Sequence, residues 1–404
     1  MLDENSPIAH RIRQWNERVA SLKAEDTYFY LQEAQAIDGM HVTIDGRDML
    51  QFASYAYLNL LGHPKINAAA QAALDEFGTG THGVRLLAGT TRLHTELEKT
   101  IATFKNTEDA VVFSSGFGCN FATIAALVSR NDVVISDKLN HASIVDGCLQ
   151  SRAKFIRVAH NDMADLESAL SSHYDKGKLV VADAVFSMDG DILNLPEIAH
   201  LCQKYKALLM VDEAHSLGVL GQHGRGIEEH FGLDNVIDVK MGTLSKAIPT
   251  VGGYIAGSQA LITYLRHTAR AFMFSAALPP VCAAGANAAF QVILEEPERV
   301  KDLQAKVKYF ITGLQERGLN THNSETPIVP IITGDDDRAW LMTKYAQERG
   351  IFVLPVVSPV VPANLSRLRA NVTCGHTYEE IDYALGIFEA AAKHVGLLTP
   401  TKVM

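Results

Sequence analysis

The amino-acid sequence predicts an α/β protein, in which a large domain with a mostly parallel sheet covered by helices on both faces precedes a smaller α+β domain. Seven apolar runs between residues 110 and 256 alternate with helical patterns or loops, as expected for parallel strands joined by crossover helices. Polar residues follow several of these runs directly. After about residue 290 the alternation gives way to longer helical patterns and a few short strands.

Three segments are predicted along the chain: an N-terminal arm and hairpin at residues 1–60, a large domain at residues 61–290 and a small domain at residues 291–404. The arm has a helical pattern, rich in Arg and Glu, from about residue 6 to residue 23. The hairpin is predicted at residues 40–52, where side chains alternate with a period of two around the turn dipeptide Asp-Gly.

The large domain is predicted to begin with a helix at residues 64–77, because its apolar spacing stops at a glycine. Its strands are predicted at residues 110–113, 133–136, 155–158, 179–182, 208–211, 236–241 and 253–256. Parallel strands end at a common edge of their sheet, and ligands bind along that edge. Asp212 and Lys246 each follow a predicted strand, so we expect them to share a site.

The small domain is predicted from the change of pattern after residue 290. Its predicted elements are a strand at residues 327–332, a helix near 337–349, short strands at 352–354 and 368–372, and a last helix at 378–394. No internal repeat or low-complexity linker divides the chain.

Composition excludes several classes of protein. The net charge of -10 and the lack of a long basic run argue against nucleic acid as the main partner. No apolar run reaches the roughly 18 residues that a membrane-spanning helix needs, and the first residues lack the pattern of a signal peptide. The five cysteines are scattered without C-x-x-C spacing, which predicts reduced thiols, no zinc site and a cytoplasmic location.

Lys246 is the leading candidate for chemistry. It lies between hydroxyl and small residues in Thr243-Leu-Ser-Lys-Ala247, and a lysine amine can form a Schiff base with a carbonyl, including that of pyridoxal 5′-phosphate (PLP). A lone Ser-Lys pair is more often a solvated surface feature. Asp212 favours the Schiff-base interpretation of Lys246 over a solvated surface lysine, because a carboxylate at a strand end can keep a pyridine nitrogen protonated.

Three further stretches fit a phosphorylated ring. Ser115, Gly116 and Phe117 follow a strand and open a helical run, and a helix N-terminus with close backbone N–H groups favours phosphate. His141 follows another strand and can stack on a ring, although a helix-capping or surface histidine is the commoner interpretation. Ser187 also follows a strand and can bond a ring oxygen.

Other motifs fail on their context. Residues 78–83 match G-x-G-x-x-G but follow a helix instead of a strand, which argues against a dinucleotide site. Residues 212–215 spell a helicase box, yet the chain has no G-x-x-x-x-G-K-[ST] loop. No G-x-S-x-G elbow appears. Asp212 and His215 lack a third metal ligand at helical or hairpin spacing, so no metal site is predicted.

From about residue 37 to residue 397 the chain resembles the α-oxoamine synthases, which are fold-type I, aminotransferase-like PLP enzymes. Within this family it is most similar to the soluble bacterial serine palmitoyltransferases. The supporting stretches are residues 54–57, 78–90, 141–148, 242–253 and 385–391. The resemblance implies a decarboxylative condensation of a small amino acid with an acyl thioester, carried by CoA or an acyl carrier protein.

The resemblance also implies roles for residues of this chain. Lys246 would hold PLP and move the Cα proton, Asp212 would pair with the ring nitrogen, and His141 would stack on the ring. The ring oxygen would contact His215 and Ser187, and the phosphate would contact Gly116, Phe117, Thr243 and Ser245. Ser275 would reach the phosphate in the partner subunit, which implies a homodimer with shared active sites. Tyr55 and Arg369 would contact the substrate, Arg369 through its carboxylate.

The chain departs from the family at Val357. Serine palmitoyltransferases use an arginine at this position on the serine carboxylate, so alanine or glycine remain alternatives to serine. The apolar residues 357–361 fit either an acyl-chain wall or part of the core. An 8-amino-7-oxononanoate synthase, a 2-amino-3-ketobutyrate CoA ligase, a secondary-metabolite synthase and a non-catalytic partner subunit are the further alternatives.

Overall fold

The protein is described by a computed structural model that covers residues 6–399. The first five residues of the predicted arm and the last five of the predicted small domain lie outside the described residues. The N-terminal segment consists of one helix and a small antiparallel sheet: α1 (Pro7–Ala24), β1 (Ala34–Ile37), β2 (His41–Ile44) and β3 (Arg47–Gln51). Ser6 caps α1, because its Oγ accepts from the Ala9 N–H at 3.1 Å. Asp45 and Gly46 both have positive φ, 51° and 72°, which gives the predicted tight turn between β2 and β3.

The large domain alternates helices and strands. Its elements in chain order are α2 (Pro64–Phe77), α3 (Arg92–Phe104), β4 (Asp109–Phe113), α4 (Gly116–Leu127), β5 (Val133–Asp137), α5 (Ala142–Ser151), β6 (Lys154–Val158), α6 (Met163–Ser171), β7 (Lys178–Asp183), α7 (Leu195–Tyr205), β8 (Leu208–Asp212), α8 (Ile227–Phe231), β9 (Val239–Ser245), β10 (Pro249–Gly257), α9 (Gln259–Thr268), α10 (Arg270–Phe274) and α11 (Pro280–Glu295).

These strands form one seven-stranded sheet in the order β4-β10-β9-β8-β7-β5-β6, as predicted. All neighbours are parallel except β10, which is antiparallel to both β4 and β9. Because β10 alone reverses direction, the carboxyl ends of β4, β5, β7, β8 and β9 lie along the same edge. This edge therefore carries the residues that follow those strands.

The small domain follows α11. Its elements are α12 (Glu298–Glu316), β11 (Ile328–Ile332), α13 (Asp336–Gln347), β12 (Ile351–Phe352), β13 (Leu354–Val356), a short 3-10 helix (Ala363–Leu365), β14 (Arg367–Asn371) and α14 (Tyr378–His394). β11, β14 and β13 form an antiparallel sheet with β14 in the centre. β12 instead extends the N-terminal sheet by pairing in parallel with β3, so the N-terminal segment and the small domain share one sheet.

Most predicted elements are confirmed, and α2 and α14 have the predicted bounds. The strand predicted at residues 236–241 was placed too early, since β9 spans Val239–Ser245. The N–H groups of Val236 and Ile237 instead donate to the Glu228 carboxylate. The single strand predicted at residues 352–354 is two strands, because the chain leaves one sheet and enters another at Val353.

Among the helices of residues 6–399, none combines the length and apolar character needed to cross a bilayer.

Candidate functional site

A cavity of about 270 Å³ lies at the carboxyl edge of the central sheet. It receives side chains from the segments that follow β4, β5, β7, β8 and β9, which is the arrangement predicted from the strand ends. The cavity is lined by Ser115, Gly116, Phe117, Asn120, His141, Ser143, Asp183, Val185, Ser187, Asp212, Ala214, His215, Met241, Thr243, Ser245 and Lys246. Every predicted cofactor-binding residue except Ser275 is in this set.

One end of the cavity is suited to an anion. Ser115 is the N-cap of α4, and its Oγ accepts from the Gly118 N–H at 3.0 Å. A Cβ atom built on Gly116 would lie 3.0 Å from Thr243 Oγ1, so only glycine leaves the backbone open beside that hydroxyl. Thr243 Oγ1 in turn lies 2.8 Å from Ser245 Oγ. Backbone N–H groups at a helix start and two hydroxyls are the groups that bind phosphate.

Two buried carboxyl groups lie at the base of the cavity. Asp212 Oδ2 accepts from Asn120 Nδ2 at 2.6 Å, and Asp212 Oδ1 accepts from the Ala214 N–H at 2.8 Å. Asp183 Oδ2 accepts from the His141 backbone N–H at 2.9 Å. Burial, and secondly the Asp212 carboxylate, raise the pKa of Asp183 well above its usual range. Asp183 therefore holds its proton more tightly than an ordinary aspartate does.

His215 lies beside two tyrosines. The Tyr57 hydroxyl is 2.8 Å from His215 Nδ1, and the Tyr55 ring packs edge-on at 5.8 Å between centroids. Burial, followed by the charges of Lys246 and Arg369, lowers the pKa of His215 well below its usual value. The imidazole is therefore neutral near pH 7, and its hydrogen bond to a buried hydroxyl fixes its orientation.

Lys246 directly follows β9, and its Nζ lies 5.9 Å from the centroid of the Tyr55 ring. Burial is the largest cause that lowers the pKa of Lys246, and the Arg369 charge adds to it, while Asp212 and Asp183 oppose it. A lysine with a lowered pKa has a larger fraction of free amine near neutral pH. This makes Lys246 a better nucleophile toward an aldehyde than a surface lysine.

The two arginines of β14 differ in their contacts. Arg367 is fully buried and occupied by Asp189 Oδ1 at 2.6 Å and by the Met188 carbonyl at 2.9 Å. Arg369 donates from Nε to the Ser187 carbonyl at 2.6 Å, and its guanidinium carbon lies 4.9 Å from the Tyr55 ring centroid. Arg369 and Tyr55 thus adjoin the cavity through Ser187 and Lys246, whereas Arg367 anchors the loop after β7.

Besides Tyr55 and Arg369, which adjoin the cavity without lining it, two predicted positions lie outside the cavity. Ser275 ends α10, next to Ala276, which bridges Val84, and its contact with a partner subunit stays a prediction. Val357 is 5% exposed and packs with Trp340, Leu22 and Phe29. The core interpretation of Val357 is therefore correct, and the acyl-wall interpretation is wrong for this residue because its side chain faces α13 and the N-terminal arm.

Sequence reasoning missed three polar residues of the cavity lining, Asn120, Ser143 and Asp183, and Tyr57, whose hydroxyl contacts His215. Asp183 had the same signal as Asp212, a carboxylate at the end of an apolar run, and would have been found by treating every strand end alike. Asn120 and Ser143 lie inside helices, so only their positions in space reveal their contacts. His141 also caps α5, with its Nδ1 accepting from the Ser143 N–H, so the capping interpretation holds together with its place in the cavity.

Comparisons with known proteins agree with this geometry. The family model for aminotransferase class I and II matches residues 47–388. An 8-amino-7-oxononanoate synthase of Bacillus velezensis is 44% identical over 378 residues, covering 93% of this chain and 97% of the relative. A serine palmitoyltransferase of Sphingobacterium spiritivorum is 41% identical over 379 residues, covering 94% of this chain and 95% of the relative.

Solved structures show the same relationship. A serine palmitoyltransferase from S. paucimobilis, solved with bound PLP and myriocin, has a TM-score of 0.93 at 32% identity, and the match covers 97% of this chain and 100% of that one. An 8-amino-7-oxononanoate synthase from Francisella tularensis has a TM-score of 0.75 at 28% identity, covering 86% of this chain and 99% of that one.

Proposed function

The chain belongs to the aminotransferase class I and II family and, within it, to the PLP-dependent α-oxoamine synthases, and from this premise we propose that it condenses L-alanine with a dicarboxylic acyl thioester. The observation that supports catalysis is the meeting of Lys246, Asp212 and the Ser115–Phe117 turn in one cavity. A non-catalytic subunit would need none of these residues.

The residues fit PLP at each of its functional groups. The N-terminus of α4, with the open backbone at Gly116, would hold the phosphate, and the Asp212 carboxylate would pair with the ring nitrogen. His141 would lie against the ring face, and His215 and Ser187 would reach the ring oxygen. When bound, PLP supplies an electron sink for the negative charge that develops on the Cα of the amino acid.

The side chains around PLP perform the remaining work. Lys246 would hold the aldehyde of PLP, and its amine would be the base that takes the Cα proton, a role favoured by its lowered pKa. Arg369 orients the substrate carboxylate, because its guanidinium lies beside Tyr55 at the edge of the cavity. Neutral His215 contributes a hydrogen bond without a competing positive charge.

Alanine is proposed from the chemistry of the product that the relatives' name prints. In 8-amino-7-oxononanoate the amine-bearing carbon is bonded to the ketone carbon and to a terminal methyl group. A decarboxylative condensation builds this arrangement when the Cα of alanine, after losing its proton, attacks the carbonyl of a dicarboxylic acyl thioester. The thiol of the carrier leaves, and the carboxylate of alanine is then lost as carbon dioxide. Relatives of this name are 42–44% identical to the chain, so this alternative is better supported than the serine palmitoyltransferase-like interpretation.

The second candidate is condensation of serine with a long-chain acyl thioester. It is favoured by the 41% identity to a serine palmitoyltransferase and by the TM-score of 0.93. Against it, the position expected to hold an arginine for the serine carboxylate is Val357, which is buried away from the cavity. Arg369 is then left as the carboxylate-binding arginine of β14.

One experiment separates these candidates. The PLP-loaded protein is given each of the twenty amino acids with a dicarboxylic or a long-chain acyl thioester, each as the CoA and the carrier-protein form, and carbon dioxide release is measured. We expect alanine with the dicarboxylic donor to react fastest. Preference for serine with the long-chain donor would establish the second candidate, and no release with any pair would reject both.

A homodimer with shared active sites remains part of the proposal. Ser275 lies outside the cavity of its own chain, which is consistent with a role in the site of a partner. Measurement of the molar mass in solution, followed by mixing Ser275→Ala with Lys246→Ala chains, tests it. Recovery of activity in the mixed dimers requires that each site draw residues from both chains.

A further inference from the structure

Four side chains, three of them buried, form a continuous series of hydrogen bonds across the base of the cavity. Asp212 Oδ2 lies 2.6 Å from Asn120 Nδ2, which lies 3.0 Å from Ser143 Oγ. Ser143 Oγ lies 2.7 Å from His141 Nδ1. Asn120 and Ser143 are each only 1% exposed, so water does not compete for the contact between them. These hydrogen bonds connect Asp212, proposed to pair with the ring nitrogen, to His141, proposed to lie against the ring face.

The direction of the first two bonds follows from the chemistry of the groups. An ionised carboxylate only accepts hydrogen bonds, so the Asn120 atom that faces Asp212 has to be the amide nitrogen. The reverse orientation of the amide would place its oxygen against the carboxylate. The Asn120 oxygen is buried and has no partner among the described residues. Asn120 therefore donates both of its amide N–H groups, one to Asp212 and one to Ser143.

The direction of the last bond follows in turn. Ser143 Oγ accepts from Asn120, so its single hydroxyl proton is available to His141 Nδ1. The Ser143 backbone N–H points at the same ring nitrogen, at 3.3 Å. Two donors directed at Nδ1 require that it accept. The ring proton of the neutral imidazole then resides on Nε2, which has no hydrogen-bond partner within residues 6–399.

We propose that Asn120 and Ser143 are positioning residues that hold His141 as the neutral tautomer with its proton on Nε2, so that His141 presents a hydrogen-bond donor to the bound substrate. The inference rests on the proposed function for the identity of what His141 faces. The Asn120 amide thereby couples two parts of the site, since it orients Asp212 with one N–H and sets the tautomer of His141 with the other.

The surroundings of His141 agree with a neutral ring. Burial lowers the pKa of His141 and the Lys246 charge lowers it further, while Asp212 acts in the opposite direction. Asp183 faces the backbone N–H of His141 and not its ring, and the Phe117 ring packs edge-on at 6.4 Å between centroids.

The test is the tautomer itself, observed by two-bond ¹H–¹⁵N NMR on protein labelled at histidine nitrogen, without PLP and with PLP. The His141 signals are assigned by their loss in His141→Asn. We expect wild-type His141 to carry its proton on Nε2. Ser143→Ala should yield a mixture of tautomers and roughly fivefold weaker PLP binding, the factor that one neutral hydrogen bond contributes.

Two further variants test the direction of these hydrogen bonds. Ser143→Thr keeps the hydroxyl and should restore the wild-type tautomer. Asn120→Asp replaces the donor toward Ser143 by an acceptor, which should draw the hydroxyl proton away from Nδ1 and shift the proton of His141 toward Nδ1.

Several outcomes would overturn the proposal. A proton on Nδ1 in the wild-type protein rejects it directly, and an unchanged tautomer in both Ser143→Ala and Asn120→Asp removes the role of these residues. If either variant fails to fold, the wild-type spectrum still decides. Failure to bind PLP at all would reject the proposed function but not the tautomer, because the tautomer is read in the cofactor-free protein.

Discussion

Asp183 and Asp212 end neighbouring parallel strands and lie opposite each other in the register of the central sheet. Both side chains are buried, and a neighbouring negative charge disfavours ionisation of a buried carboxyl group. Burial, and secondly the Asp212 charge, raises the pKa of Asp183 well above its usual range. The sheet thus places two carboxyl groups side by side with different partners: Asp212 accepts from Asn120 and the Ala214 N–H, and Asp183 accepts from the His141 N–H.

This pair leads to a prediction for two matched substitutions. Asp212→Asn should reduce kcat/KM by roughly a hundredfold to a thousandfold, since it removes the charge proposed for the ring nitrogen. Asp183→Asn should reduce kcat/KM by less than about tenfold, because the amide oxygen of the asparagine can still accept from the His141 N–H. Kinetics of both variants with alanine check this. Equal losses would show that the two carboxyl groups are not differentiated.

Lys246→Ala should abolish covalent attachment of PLP and lower the rate by at least about a thousandfold, because the holding group and the base are the same side chain. Borohydride followed by mass spectrometry detects attachment. Lys99→Ala, on the exposed face of α3, is the control and should retain PLP. Labelling of the Lys246→Ala protein at the wild-type level would place the attachment elsewhere.

The pH dependence of PLP attachment should respond to Arg369. The positive charge of Arg369 lowers the pKa of Lys246, so its removal in Arg369→Met raises that pKa. The protonated amine does not attack the aldehyde, and the midpoint of attachment rate against pH should therefore move to higher pH. Stopped-flow absorbance measures the rate. Arg349→Met, at an arginine that packs on the Tyr345 ring, should leave the midpoint in place.

A second titrating group should affect stability instead of catalysis. His160 lies between Asp137, at 3.1 Å, and Asp191, at 2.7 Å. Burial opposes its charge, but the hydrogen bonds to the two carboxylates outweigh burial and raise the pKa of His160 to about 10. Because the folded protein holds this proton more tightly than the unfolded chain, the stabilisation is complete below pH 6.5 and is lost as the pH rises toward 10.

We therefore expect His160→Gln to lower the free energy of unfolding by about 2 kcal/mol at pH 6 and by much less near pH 10. Urea unfolding of wild type and variant at both pH values measures the difference. His200→Gln, at an exposed position of α7, is the control. A difference that grows with pH would contradict the assignment of the proton.

Val357→Arg should not produce serine palmitoyltransferase activity. The side chain at this position packs against Trp340 and is 5% exposed, so an arginine there is buried without a partner and should destabilise the fold by on the order of 3 kcal/mol. Val360→Arg is a matched control at a position that is 66% exposed. Thermal unfolding and serine turnover are measured together, and a stable variant with serine activity would refute the prediction.

Much of the site was predicted from the sequence because of one property of parallel sheets. Strands that run in the same direction end at the same edge, so a strand prediction that is accurate to a few residues is enough to bring Asp212 and Lys246 together. For this reason, predicting β9 a few residues too early did not change the predicted location of Lys246 at the edge of the sheet. The turn at Ser115–Phe117 was predicted similarly, since a helix start after a strand has few alternative positions.

The tertiary structure decided what depends on contacts between residues distant in sequence. Asn120 and Asp212 are separated by 92 residues, and no local pattern predicts that one amide would serve both Asp212 and Ser143. Val357 was ambiguous for the same reason, because its surroundings come from α1 and α13. The sequence by itself determined that Asp212 and Lys246 lie at strand ends of a mostly parallel sheet, through local periodicity and chain direction. Only packing decided the hydrogen-bond partners, the raised pKa of Asp183 and the burial of Val357.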